Sequence, residues 1–173
     1  VVAGQWNPTN TGIDITVPLA NDASLTDGTL QIRANVAGGG YEDLGGAHTI
    51  LIGELGTNKT LSFNAATFEA ISGGLSNLEN IVFNAIITDK ASNATTGTQS
   101  ATTITYDQAA PAAFNVGSVT AVGGTVVAGQ WNPTNTHIDI TVPLANDASL
   151  TDGTLQIRAN VAGGGYEDLG GAH

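Results

Sequence analysis

Apolar and polar residues alternate along much of this chain. In "GIDITVPL", residues 12–19, Ile13, Ile15, Val17 and Leu19 share one face while Asp14 and Thr16 share the other. "TLQIRANV" repeats the arrangement, with Leu30, Ile32, Ala34 and Val36 against Gln31, Arg33 and Asn35. "TLSFN" adds Leu61 and Phe63, and "NIVFNAIITD" adds Ile81, Phe83, Ala85 and Ile87. "ATTITYD" adds Ile104 and Tyr106, and "FNVGSV" adds Phe114 and Val116. A period of two with one apolar face predicts half-buried strands. Turn-forming clusters separate the runs: "NDASLTDG", "AGGGYEDLGG", "GTNK" and "DKASNATTG". "NAATFEAISGG" departs from the pattern. Phe68 and Ile71 lie three apart, Asn64 suits an N-cap and Gly73 a stop, which predicts a turn or two of helix. About seven short strands without βαβ alternation predict an all-β fold, an antiparallel immunoglobulin-like β-sandwich.

The chain also repeats itself. Residues 1–48 recur as residues 126–173, with 47 of 48 positions identical and Gly12 facing His137 as the one difference. The offset of 125 residues exceeds a solenoid unit and suits a whole domain. The expected organisation is therefore tandem: residues 1–108 form one repeat lacking its first strand, and 109–173 form the front part of the next. On that division 109–173 needs completion, by another copy of the chain or by continuation of a longer rod. Leu155 and Ile157 should then not be fully buried by this chain alone. Copied domains supply length, valency or both.

Charge narrows the partners. Fifteen acidic residues against four basic ones leave a net charge of −11, which disfavours nucleic acid and anionic lipid. No apolar stretch is long enough to insert in a membrane. Cysteine and methionine are absent, so no disulfide can staple the fold and oxidation finds few targets. That suits life outside the cell.

The acidic residues fall in loops. In an immunoglobulin-like topology the loop with Asp22 and Asp27 and the loop with Asp89 and Asn93 share one end, facing the preceding repeat. Their counterparts in the second copy are Asp147 and Asp152, and the linker arriving there carries Asp107. Ala109, Ala110 and Pro111 keep that link short and extended. Grouped carboxylates with few basic partners suit a hard cation such as Ca²⁺, which takes six to eight oxygens. The alternative is that each aspartate only ends a strand or caps a loop. "DASLTDG" is not an EF-hand, because the twelfth position from Asp22 is Arg33, where a bidentate Glu belongs. "GGGYED" is not a β-roll calcium repeat, since Tyr41 replaces a needed glycine and it occurs once per period.

"TDKASNATTG" resembles the D-x-A-G-N turn of bacterial immunoglobulin-like repeats, with Ser92 in place of the glycine. "NPTNTGIDITVPLANDASLTDGTLQ" and "YDQAAP" resemble the extender repeats of giant RTX adhesins. The resemblance implies a rod of calcium-loaded sandwiches, secreted by a type I system to the bacterial cell surface, that projects a ligand-binding tip. It implies calcium ligands at Asp107, Asp147 and Asp152, and at Asp22, Asp27, Asp89 and Asn93. The partners would be neighbouring repeats of the same protein.

Catalysis lacks its parts. His48 and His173 are one repeat position, and His137 replaces a glycine. There is no Cys, no nucleophile elbow and no H-E-x-x-H. Glu42 and Asp43, adjacent in sequence, should point to opposite faces. No enzyme activity is expected. The other reading is a glycan- or protein-binding module acting by avidity, with Trp6, Trp131, Tyr41 and Tyr166 as a sugar platform. Those aromatics are better suited to a core or a domain end.

Overall fold

The computed structural model describes residues 3–173, without the side chain of Ala148. The fold is all-β with few helices, in two compact units, Val1–Ala109 and Ala110–His173.

The first unit contains β1 (Gln5–Trp6), β2 (Gly12–Pro18), β3 (Thr29–Val36), β4 (Tyr41–Asp43), β5 (His48–Thr49) and β6 (Asn58–Asn64). Then come helix α1 (Ala65–Glu69), β7 (Glu79–Thr88), β8 (Ala94–Thr96) and β9 (Ile104–Tyr106). One sheet runs β1-β9-β7-β3-β4, with β5 beside β3 and β8 beside β7. Its spine is the antiparallel β3–β7 ladder, from Thr29↔Thr88 to Val36↔Ile81. β1 joins β9 in parallel. The second sheet is the antiparallel pair β2–β6, from Gly12↔Asn64 to Pro18↔Asn58.

The alternation read from the sequence sets the core. Leu30, Ile32, Ala34 and Val36 of β3 are buried with Ile81 and Phe83 of β7. Ile13, Ile15 and Val17 of β2 pack on this cluster half-buried, as do Leu61 and Phe63 of β6. Asn64 caps α1, its side chain accepting from the Thr67 N–H at 2.8 Å. α1 inserts Phe68 into the core, with its ring centroid 4.4 Å from that of Trp6. Trp6 is itself buried and donates from Nε1 to Glu69 Oε1 at 2.8 Å. A short 3-10 turn, Ile71–Gly73, follows α1, so the helical segment ends at Gly73 as its sequence suggests, with Gly74 as the C-cap. Residues 94–96, read as part of a turn cluster, form β8 instead, because the tight turn after β7 folds the chain back on it.

The second unit contains β10 (Val119–Val122), β11 (His137–Ile140), β12 (Arg158–Asn160) and β13 (Tyr166–Asp168). They form two antiparallel pairs, β10–β11 and β12–β13. The strand expected at "FNVGSV" is displaced: residues 114–118 are not in a strand, and pairing starts at Val119. Phe114 and Val116 stay exposed, because β11 offers a ladder only as far as Ile140. Leu155 and Ile157 are half-buried, whereas Leu30 and Ile32, the same repeat positions, are buried.

The single difference between the copies has a local reason. A Cβ at Gly12 would lie 2.8 Å from the Phe63 carbonyl oxygen of β6. Among the described residues β11 pairs only with β10, so His137 meets no such neighbour there.

The two tryptophans occupy one repeat position but different surroundings, 3% exposed for Trp6 and 56% for Trp131. Trp131→Phe should leave a blue-shifted emission that iodide quenches poorly. Trp6→Phe should leave a red-shifted, readily quenched one. Phe68→Ala should cost about 3–5 kcal/mol in chemical unfolding of the first unit.

Candidate functional site

The β3–β7 register decides where the carboxylates go. Thr29 faces Thr88, so the loop before β3 and the turn after β7 emerge at the same end. Asp22, Asp27, Asp89 and Asn93 lie in those two segments, and the Lys90 N–H donates to the Ser24 carbonyl at 3.2 Å to join them. Asp107 is elsewhere. It follows β9, whose Tyr106 pairs with Glu79 at the start of β7. The nine steps of β7 from Glu79 to Thr88 put it about 30 Å from the Asp89 turn.

Each carboxylate at the first end already has partners. The turn "DKASN" is closed by Asp89 itself, whose Oδ1 accepts from the Asn93 N–H and whose Oδ2 accepts from Asn93 Nδ2, both at 2.8 Å. Those Asn93 bonds, the side-chain one first, hold the Asp89 carboxyl below the usual range. Ser92 takes φ 70° in this turn, the left-handed region that favours glycine. Asp22 caps the 3-10 turn Ala23–Leu25, accepting from the Ser24 N–H at 2.9 Å. This bond lowers its pKa, and the nearby Asp89 charge opposes that shift. Asp27, at φ 63°, pairs with Lys90 Nζ at 2.9 Å. The paucity of basic residues thus does not leave every aspartate unpaired. Gly28 follows because a Cβ there would lie 2.3 Å from the Thr88 carbonyl oxygen.

Asp107 donates its N–H to the Trp6 carbonyl at 2.8 Å, and its Oδ1 accepts from the Ala109 N–H at 3.3 Å. Asn77 Oδ1 also accepts from Gln108 N and Ala109 N, so the chain leaves β9 in a fixed direction. In the second unit Asp147 caps Ala148–Leu150 through the Ser149 N–H at 2.9 Å. That bond lowers its pKa. Asp152 takes φ 60°, as Asp27 does.

The chemistry available is that of hard-oxygen donors. Asp22, Asp89 and Asn93 are brought to one corner, Asp27 is turned to Lys90, and Asp107 stands at the far end. Among the described residues, no three His, Cys, Asp or Glu side chains converge as a metal site would need. Asp and Asn oxygens suit calcium in kind, but the corner supplies fewer than calcium takes.

Among the other candidates Trp131 and Tyr166 are exposed, and the rest have structural roles. Glu42 and Asp43 diverge: Glu42 Oε2 accepts from the Ser72 N–H at 3.0 Å, and Asp43 pairs with Arg33 at 3.2 Å. Trp6 lies in the core, so no open platform forms around it. His48 bonds to Glu54 Oε2 at 2.9 Å, and Lys59 donates to Glu54 Oε1 at 2.6 Å. Glu54 was not evident as a hub in the sequence. Its only local signal is a position three residues after Leu51, whose N–H it accepts at 3.0 Å.

Two features of the first unit can be checked directly. Ser92→Gly should raise its stability by under about 1 kcal/mol, because glycine adopts this φ without the steric cost of a side chain. The Leu51 N–H, then Lys59 and His48, hold the Glu54 carboxyl down at about 2, against an ordinary 4.5. A depressed carboxylate pKa contributes stability that is present above the ordinary value and lost as pH falls through the folded one. Between pH 4.5 and 2 the wild-type melting temperature should therefore fall more steeply than that of Glu54→Gln, which should start lower at neutral pH.

No protein-family model, no curated protein and no solved structure matches this chain.

Proposed function

We propose that this chain is a stretch of tandem immunoglobulin-like β-sandwich repeats that act as a calcium-rigidified spacer. In this reading they are extender domains of a large bacterial surface adhesin, secreted to hold a ligand-binding tip away from the cell. The observation that carries the proposal is the repeat itself: 47 of 48 residues recur at an offset of 125. Catalysis gains nothing from near-identical copies, whereas reach grows with each one.

The topology is compatible with the sandwich reading. β9, β7 and β3 form one sheet, β2 and β6 a second, and the short β1 joins β9 in parallel. The donor set and its division between two ends support the calcium reading. One corner holds Asp22, Asp89 and Asn93, and the opposite end holds Asp107. A cation at a junction would draw on Asp107 of one repeat and on the loop of the next, with Asp147 and Asp152. By repetition, Asp22 and Asp27 would serve the junction before them, with Asp89 and Asn93 on the same end. Bound calcium would neutralise the acidic ends and hold the repeats in line.

Calcium should raise the melting temperature by many degrees over the same protein in chelator, because binding to the folded state alone stabilises it. Asp107→Ala should remove part of that gain while leaving the melting temperature in chelator unchanged. The maximum dimension from small-angle scattering should fall on chelation. Identical melting temperatures and dimensions with and without calcium would rule the spacer mechanism out.

A further inference from the structure

Two asparagines of the first unit stand in a triplet that a glycosyl transferase can read. Among the fifteen asparagines of the chain, Asn58 and Asn93 open Asn-x-Thr with x other than proline, as Asn58-Lys59-Thr60 and Asn93-Ala94-Thr95. Asn7 and Asn132 precede proline, which excludes them. The triplet sets a hydroxyl two residues after the amide that takes the sugar. The fold treats its two occurrences differently.

Asn58 opens β6, just after the turn through Gly56 at φ 70°. Along β6, Asn58, Thr60 and Ser62 are exposed and alternate with half-buried Lys59, Leu61 and Phe63. The strand period therefore puts the Asn58 amide and the Thr60 hydroxyl on one outward face, about 7 Å apart along the strand. Lys59 lies between them but is turned to Glu54 at 2.6 Å, which leaves that face clear. Opposite Asn58 on β2 is Pro18, itself exposed and without a polar side chain to hold the amide. The Thr60 hydroxyl meets that of Thr16 at 2.8 Å, a bond at the surface.

Asn93 is held instead. Its Nδ2 donates to Asp89 Oδ2 and its N–H to Asp89 Oδ1, both at 2.8 Å. A carboxylate only accepts, so the amide must turn its NH₂ end to Asp89. These bonds span four residues, so the turn can close before distant strands pair. The nitrogen that would attack a sugar is thus tied to an anion.

We propose that Asn58 is a glycan acceptor and that Asn93, in the same triplet, is not. The co-substrate is a sugar activated at C1 as a phosphate ester and delivered by a transferase. Asn58 Nδ2 forms a bond to C1 and the C1–O bond breaks. The phosphate leaves with the electron pair, and one Nδ2 proton passes to the base of the transferase. Nothing is oxidised or reduced. The sugar then projects from the outer face of the β2–β6 sheet, beside Thr60 and Pro18, and adds polar bulk without displacing a core contact. The proposal depends neither on calcium nor on the spacer reading.

The test is peptide mapping by mass spectrometry of the full chain purified from the cells that natively produce it. The Asn58 peptide should carry sugar and the Asn93 peptide none. Release by a peptide N-glycosidase in heavy-oxygen water should leave a labelled aspartate at position 58. A single sugar would identify a nucleotide-linked donor and a preassembled oligosaccharide a lipid-linked one; both support the site. Thr60→Ala should abolish the modification and Thr60→Ser retain it. Asp89→Ala, which unties Asn93, should bring sugar onto Asn93 as well. Bare Asn58 in the native protein would overturn the proposal, as would sugar on Asn93 of the wild type. A bare Asn93 in Asp89→Ala would overturn the part assigned to the Asp89 bonds.

Discussion

The antiparallel ladder between β3 and β7 is the interaction on which the rest of the first unit depends. Eight residue pairs, Thr29↔Thr88 through Val36↔Ile81, set Leu30, Ile32 and Ala34 beside Ile87, Ala85 and Phe83 on one face. That face is the floor of the core, and β2, β6 and α1 close over it. The same register brings the Asp22 loop and the Asp89 turn to one end and sends Asp107 to the other. A slip of one residue would turn the apolar face outward and separate the acidic loops.

The internal repeat tests this dependence within one molecule. Residues 126–173 carry almost the sequence of 1–48 but have no β6 or β7 in their unit. What survives there is local. The 3-10 turn capped by Asp22 reappears capped by Asp147. Asp152 repeats the left-handed φ of Asp27, and Ala162 that of Ala37. The β3–β4 hairpin returns as β12–β13, with Arg158 reaching Asp168 at 3.1 Å as Arg33 reaches Asp43 at 3.2 Å. What is lost is non-local. β3 spans Thr29–Val36, but β12 keeps only Arg158–Asn160, the part opposite the hairpin. Trp131 is exposed because Phe68 and Glu69 have no counterpart beside it.

The two ends of the first unit differ in what their polar groups bind. At one end, the carboxylates are committed to short-range bonds: Asp89 to Asn93, Asp22 to Ser24, Asp27 to Lys90. At the other, Asn77 and Asp107 fix the outgoing backbone. A cation shared across a junction would compete with these bonds and with water, not with a buried network.

By itself the sequence determined the repeat, the alternation that marks β2, β3, β6 and β7, the Asn64 cap and the acidic turns. These depend on side-chain period and on bonds spanning a few residues, which neighbouring positions specify. It also placed Glu42 and Asp43 on opposite faces, since a strand has a period of two. Tertiary structure decided which strands survive. "FNVGSV" alternates like the others, yet 114–118 is not a strand because a ladder needs a partner at matching register. It also decided that Asp27 meets Lys90, 63 residues away, and that Trp6 is buried while Trp131 is not. Each of those rests on pairing between distant segments, and pairing is a property of what lies alongside a strand.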